Sequence, residues 1–132
     1  MPFHAGQTFL FPLNEDNQRE HLWVIATEPN SAGLFAVVSF TSLKGAKDQT
    51  VILRKTEHPF LRWDTCVAYA LAEIVNADDL HAYCQSGRAK MHQDVAPAIL
   101  RLILDGFSAS DLTRNRVRDF VRDYRQAAHA EA

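Results

Sequence analysis

Short apolar runs divided by polar turns fill the first part of the chain, and longer runs at helical spacing fill the rest. Gln7–Phe11 (QTFLF) reads as a strand ending at Pro12, and Asn14–Glu20 (NEDNQRE) as a polar loop without an apolar side chain. His21–Thr27 (HLWVIAT) is a strand rich in β-formers, stopped by EPNSAG. Leu34–Thr41 (LFAVVSFT) is the most apolar run and predicts a central strand. Thr50–Arg54 (TVILR), after the loop LKGAKDQ, predicts its hairpin partner.

Thr65–Val75 (TCVAYALAEIV) carries two periods at once. Val67, Ala70, Leu71, Ile74 and Val75 follow helical spacing, and the alanines favour a helix. Thr65, Val67, Tyr69, Leu71 and Val75 also share one face of a strand. Periodicity leans to helix and leaves the element open.

Beyond Asn76 the pattern is helical. Asp78 and Asp79 suit a first turn, and LHAYC continues a short helix to Ser86-Gly87. Val95, Ile99, Leu102 and Ile103 give a second helix with Pro97 in its first turn and a stop at Gly106. In SDLTRNRVRDFVRDYRQAA, Ser110 predicts an N-cap, and Val117, Phe120, Val121 and Tyr124 make one stripe. The opposite side, Arg114, Arg118, Arg122 and Arg125 among Asp119 and Asp123, reads as a solvated face.

At 132 residues the chain fits a single domain, with residues 1–76 β-rich and 77–132 a helical extension packed on them. Its apolar share of 47% and charged share of 23% are those of a soluble globular protein. A formal charge of −2 confines any nucleic-acid site to a local patch. Cys66 and Cys84 stand apart, without the spacing of a zinc site or a disulfide scaffold, so neither metal nor cofactor is expected and a reduced, cytoplasmic setting is. MPFHAGQTFLF lacks the pattern of a signal peptide, and no apolar run is long enough for a membrane span.

The strand end VVSFTS (Val37–Ser42) raises the question of function, because it delivers Thr41 and Ser42 to the foot of a loop with Lys44 and Lys47. Hydroxyls at a strand end ordinarily cap local backbone. The order of segments adds a second reading. GQTFLFPL (Gly6–Leu13), HLWVIAT, VVSFTS and FLRWDTCV (Phe60–Val67) together resemble the MazF/PemK/Kid-type toxins of bacterial toxin–antitoxin pairs, over a little more than half the chain. The resemblance implies an α+β protein with a small SH3-like β-barrel in the N-terminal half and C-terminal helices. It also implies that Thr65–Ile74 is a strand, which we adopt as the expectation.

The activity implied is metal-independent RNA cleavage. A base takes the proton of a ribose 2′-hydroxyl, which attacks the adjacent phosphorus, while an acid protonates the leaving oxygen and donors stabilise the added charge. By resemblance the catalytic hydroxyl falls on Thr41, with Ser42 beside it. The family's Arg falls on His21, a departure that changes the role, since imidazole titrates near neutral pH and guanidinium does not. Arg19 stands two residues earlier and is the nearest replacement cation. A second catalytic set is Arg62 and Asp64, with Thr65 beside them and His58 upstream. Lys44 and Lys47 suit phosphate contact, and Trp63 base stacking, whereas Trp23 in its apolar strand reads as core. The ordinary alternatives are a turn at Asp64-Thr65, a surface role for His21 and His58, and a solvated hairpin loop around the lysines.

The expected partners are RNA, a cognate antitoxin protein and a second copy of the chain in a homodimer. Two other readings remain: a non-catalytic barrel of the same kind that binds protein or nucleic acid, favoured by His21 in place of Arg, and a partner protein whose helical half does the work.

Overall fold

The computed structural model describes residues 3–12 and 20–131. The strands are β1 (Thr8–Pro12), β2 (Glu20–Ile25), β3 (Leu34–Ser42), β4 (Ile52–Leu53), β5 (Thr65–Asn76) and β6 (Lys90–His92), and the helices are α1 (Ala77–Gln85), α2 (Pro97–Ala109) and α3 (Asn115–Glu131). The six strands form one curled antiparallel sheet in the order β4-β5-β3-β2-β1-β6, so the protein is α+β with its longer helices at the C-terminal end. No described helix is long and apolar enough to cross a membrane.

Alternation along the strands builds a core on each face of the sheet. Leu22 and Val24 of β2, Ala26 just beyond it, and Ala36, Val38 and Phe40 of β3 meet Ile99, Ile103 and Phe107 of α2 and Val117 and Val121 of α3. The intervening Trp23, Ile25, Phe35 and Val37 face the other way and meet Phe3, Phe9 and Leu80 of α1. Trp23 is core, as its surroundings in the sequence imply, and lies parallel to Phe9 with ring centroids 6.4 Å apart.

β5 is a strand, and its double periodicity has a structural cause. Between the pairs Val37↔Glu73 and Ser39↔Ala68, β3 advances two residues while β5 advances five. This bulge has an odd excess, so it exchanges the two faces of the strand. Val67 points into the helix-covered core before it and Ile74 after it, with Tyr69 and Ala72 reaching the same core from within it. Positions 67 and 74 thus share a face at a spacing that a regular strand forbids and a helix allows.

Four local expectations are corrected. Thr50–Arg54 is not the hairpin partner of β3, because β3 already has β2 on one edge and β5 on the other; β4 shrinks to Ile52–Leu53 and adds outside β5. Lys90–His92 is a strand within the stretch read as helical, and it pairs with β1. α2 runs through Gly106 to Ala109. Gly106 is a packing glycine: a Cβ there would stand 1.8 Å from the Tyr69 hydroxyl, which donates a 2.7 Å bond to Ile103 O. Ser110 ends α2 instead of opening α3; its N–H donates to Gly106 O and its hydroxyl to Asp48 at 2.6 Å.

The basic row on α3 is less free than a solvated face. Arg114, just before the helix, bonds Ala72 O and Glu73 of β5, and Arg125 bonds Asp105 of α2 at 2.7 Å, fastening the helix to its neighbours, while Arg118 bonds back to Thr113 O at 3.0 Å.

Candidate functional site

The ladder between β2 and β3 runs from Ile25↔Val37 to Trp23↔Ser39 and stops there. β3 continues alone with β5 as far as Ser42↔Thr65. A groove of about 290 Å³ opens where the ladder ends, lined by Glu20, His21 and Leu22 from β2, Phe40, Thr41 and Ser42 from β3, the wall Phe60–Trp63, and Thr65 from β5. Sequence-distant segments meet here because β3 lies between β2 and β5 in the sheet.

Of the residues singled out in the sequence, His21, Thr41, Ser42, Arg62, Trp63 and Thr65 all line this groove. Trp63 is 47% exposed despite its size, and Leu61 beside it is buried in the helix-covered core, anchoring the wall. Arg62 is exposed and makes no ion pair among the described residues. Thr65 is buried, yet its hydroxyl has no hydrogen-bond partner among the described residues. Such a hydroxyl costs stability unless something is donated to it or accepts from it.

The faces divide within the groove. Leu22 and Phe40 belong to the helix-covered face, and alternation puts Glu20, Ser42 and Thr65 on their side. His21 pairs with Phe11, on the face that carries Trp23, and Thr41 alternates with Phe40. The groove therefore passes through the end of the ladder, with residues of both faces meeting at its rim. Glu20 is the polar residue that sequence reasoning missed. Its position one residue before His21 was the available signal, since neighbours at a strand end address both faces. Its carboxylate lies 3.8 Å from Lys90 Nζ.

The structure places other expected residues elsewhere. The Asp64 carboxylate accepts from Arg54 Nη1 at 2.9 Å and from the Lys55 N–H at 3.0 Å, and it is Trp63 and Thr65 on either side that line the groove. The Lys55 N–H, reinforced by Arg54, holds the Asp64 carboxyl below the usual carboxylate range. His58 is buried rather than set for RNA contact: Nε2 faces Gln93 O at 2.6 Å, and Nδ1 accepts the Phe60 N–H at 3.0 Å. Because a carbonyl only accepts, Nε2 carries the proton and the ring is neutral. Burial pushes its pKa down and outweighs the bond to Gln93 O, which acts the other way; the nearby His92 adds to the lowering.

Lys44 and Lys47 are exposed on the β3–β4 loop but do not line the groove. That loop is pinned at its base by the Leu43 N–H donating to Asp64 O at 3.0 Å, and at its far end by Asp48 bonding Ser110. Burial raises the Asp48 carboxyl, and hydrogen bonds from Ser110 and Thr50 outweigh it, leaving the group below its ordinary value. Arg19 lies outside the described residues.

Chemically, the groove offers one exposed cation, an exposed indole, the hydroxyls of Thr41 and Ser42 and two groups able to move protons, over an apolar floor, with the Thr65 hydroxyl closed off behind them. That set suits an extended anionic ligand with flat rings. No protein-family model matches the chain, and no curated protein does.

Proposed function

We propose that the groove binds single-stranded RNA and cleaves it by attack of a ribose 2′-hydroxyl on the adjacent phosphorus, in the manner of the toxin-like endoribonucleases the sequence resembles. The observation that carries this reading is the convergence of Arg62, Trp63, Ser42 and Thr65 with Glu20, His21 and Thr41 in one groove of about 290 Å³. Trp63 stacks on a base and Arg62 holds a phosphate. Ser42 donates to a phosphate oxygen, and the added charge of the transition state strengthens that bond. His21 and Glu20 are the proton-transfer groups, with Thr41 beside His21 at the rim; a neutral imidazole takes the 2′-hydroxyl proton and an acid returns one to the leaving 5′-oxygen. Asp64 serves by shaping the start of β5.

The curled antiparallel sheet and the strand character of β5 support a small SH3-like barrel as the finer description of the fold. A homodimer, a neutralising antitoxin and a cytoplasmic setting belong to the same proposal. A second reading, a groove that binds RNA without cutting it, is favoured by the division of faces, which sets His21 and Thr41 apart from Ser42 and Thr65. The two readings separate with paired ligands. An unstructured RNA and its fully 2′-O-methylated counterpart bind with similar affinity under both, and the first is cut only under the catalytic one. Failure of both to bind ends both readings.

A further inference from the structure

The wall Phe60–Trp63 belongs to the long connection between β4 and β5, and one side chain fastens it to the far edge of the sheet. His58 donates from Nε2 to Gln93 O at 2.6 Å and accepts the Phe60 N–H on Nδ1 at 3.0 Å, a bond to the first residue of the wall. The anchor is fixed independently. Gln93 O also accepts from the buried Thr8 hydroxyl of β1 at 2.7 Å, and two residues on, the Val95 N–H donates to Gly6 O at 2.9 Å.

Protonation cannot be absorbed by this arrangement. A proton on Nδ1 would set N–H against the Phe60 N–H in a buried site, and the ring has no third nitrogen to compensate. The Gln93 carbonyl favours the cation, but burial outweighs it and the other neighbours do not add to it. His92 of β6 faces it with ring centroids 5.2 Å apart and adds positive charge when protonated. The Asp94 carboxylate is taken by His4 at 3.0 Å, and Glu57 on its own segment accepts the Arg54 N–H at 2.8 Å.

We propose that His58 is a positioning residue that works as a proton-sensitive latch: its neutral ring holds the Phe60–Trp63 wall in place, and protonation releases the wall and dismantles the groove. The direction follows from linkage. The latched form disfavours the proton and the released form does not, so latching is complete above the ordinary histidine value and weakens as pH falls below it. The inference concerns the groove's geometry and holds whether or not its ligand is RNA.

The test is a ligand-free NMR titration of the whole chain from about pH 8 to about pH 5, following the Phe60 amide, the Trp63 indole and the histidine ring carbons. The expected result is one step shared by the Phe60 amide, the Trp63 indole and the His58 ring, with a midpoint below the ordinary histidine value and no matching step at Val24 or Val38 in the core. In His58→Gln, which keeps a donor and an acceptor without titrating, the Phe60 and Trp63 step is lost. In His92→Gln the step stays and moves to higher pH, because a nearby positive charge is gone. Phe60 and Trp63 signals that do not move in the wild-type chain, that move with a midpoint different from the His58 ring, or that move equally in His58→Gln overturn the proposal. Should His58→Gln not fold, the match or mismatch of midpoints in the wild-type chain decides alone.

Discussion

Asp64 and Arg54 are joined across the β4–β5 connection, with Arg54 Nη1 donating to the Asp64 carboxylate at 2.9 Å while the Lys55 N–H donates to its other oxygen at 3.0 Å. Held this way, the carboxylate ties the start of β5 to the start of the connection. Asp64→Asn is expected to leave cleavage close to wild type and to lower stability at neutral pH. Because the Asp64 carboxyl titrates below its ordinary value in the fold, the stability it adds is present above that ordinary value and is lost as pH falls through the folded one. Urea midpoints of wild type and variant should therefore differ at pH 7 and converge in acid. Cleavage that collapses in Asp64→Asn would return the residue to the chemistry.

Thr65 gives the cleanest separation of stability from function. Its hydroxyl is buried without a partner among the described residues, so the isosteric Thr65→Val removes a cost of about 1 kcal/mol. The variant is expected to unfold at higher urea and to bind RNA as wild type does, because the hydroxyl is closed off from the groove. Weaker RNA binding would mean that the hydroxyl meets the ligand.

The helix-covered core turns on Gly106. A methyl group there meets the Tyr69 hydroxyl at 1.8 Å and Val51 at 2.8 Å, so Gly106→Ala is expected to cost about 3 kcal/mol. Tyr69→Phe loses only the bond to Ile103 O, about 1 kcal/mol. Burial pushes the Tyr69 phenol above its ordinary range, so it stays a neutral donor and this contribution does not change across neutral pH. Denaturant unfolding checks both values.

Much of this architecture is legible in the sequence because alternation along β2 and β3 reports two buried faces directly. What escapes the sequence is non-local. The β5 bulge imitates a helix, since an odd insertion realigns Ala72 and Ile74 with Val67 and Tyr69. Gly106 has the look of a helix stop, and only the approach of Tyr69 from β5 explains it. Ser110 reads as an N-cap because capping residues and turn residues are the same types, and its partner Asp48 is far away in sequence. At the groove, the resemblance gathers Thr41, Ser42, Arg62 and Thr65, and exposure beside charged residues picks out Trp63. Neither could show that Asp64 turns back to Arg54 and Lys55 at the start of its own connection, or that His58 is engaged by Phe60 two residues on and by Gln93 O far away in sequence.

The ligand's nature is tested on the wall. Arg62→Gln is expected to weaken RNA binding and to lower the salt dependence of log K by about one unit, as the loss of one phosphate contact should. Trp63→Ala is expected to cost about 1–3 kcal/mol of binding with an unchanged salt slope, since stacking releases no counterions. Fluorescence anisotropy with a short labelled RNA at several salt concentrations reads both. A salt slope unchanged in Arg62→Gln would remove Arg62 from the phosphate path.

The central claim is that the groove cuts RNA, and end-group analysis tests it most directly. The purified protein is incubated in EDTA with a long, mostly unstructured RNA, and the fragments are examined for their termini. The account expects discrete fragments ending in 2′,3′-cyclic phosphate, with cutting lost in His21→Ala and Thr41→Ala while both variants stay folded. RNA left intact at high protein concentration, or cut equally by wild type and both variants, would contradict it.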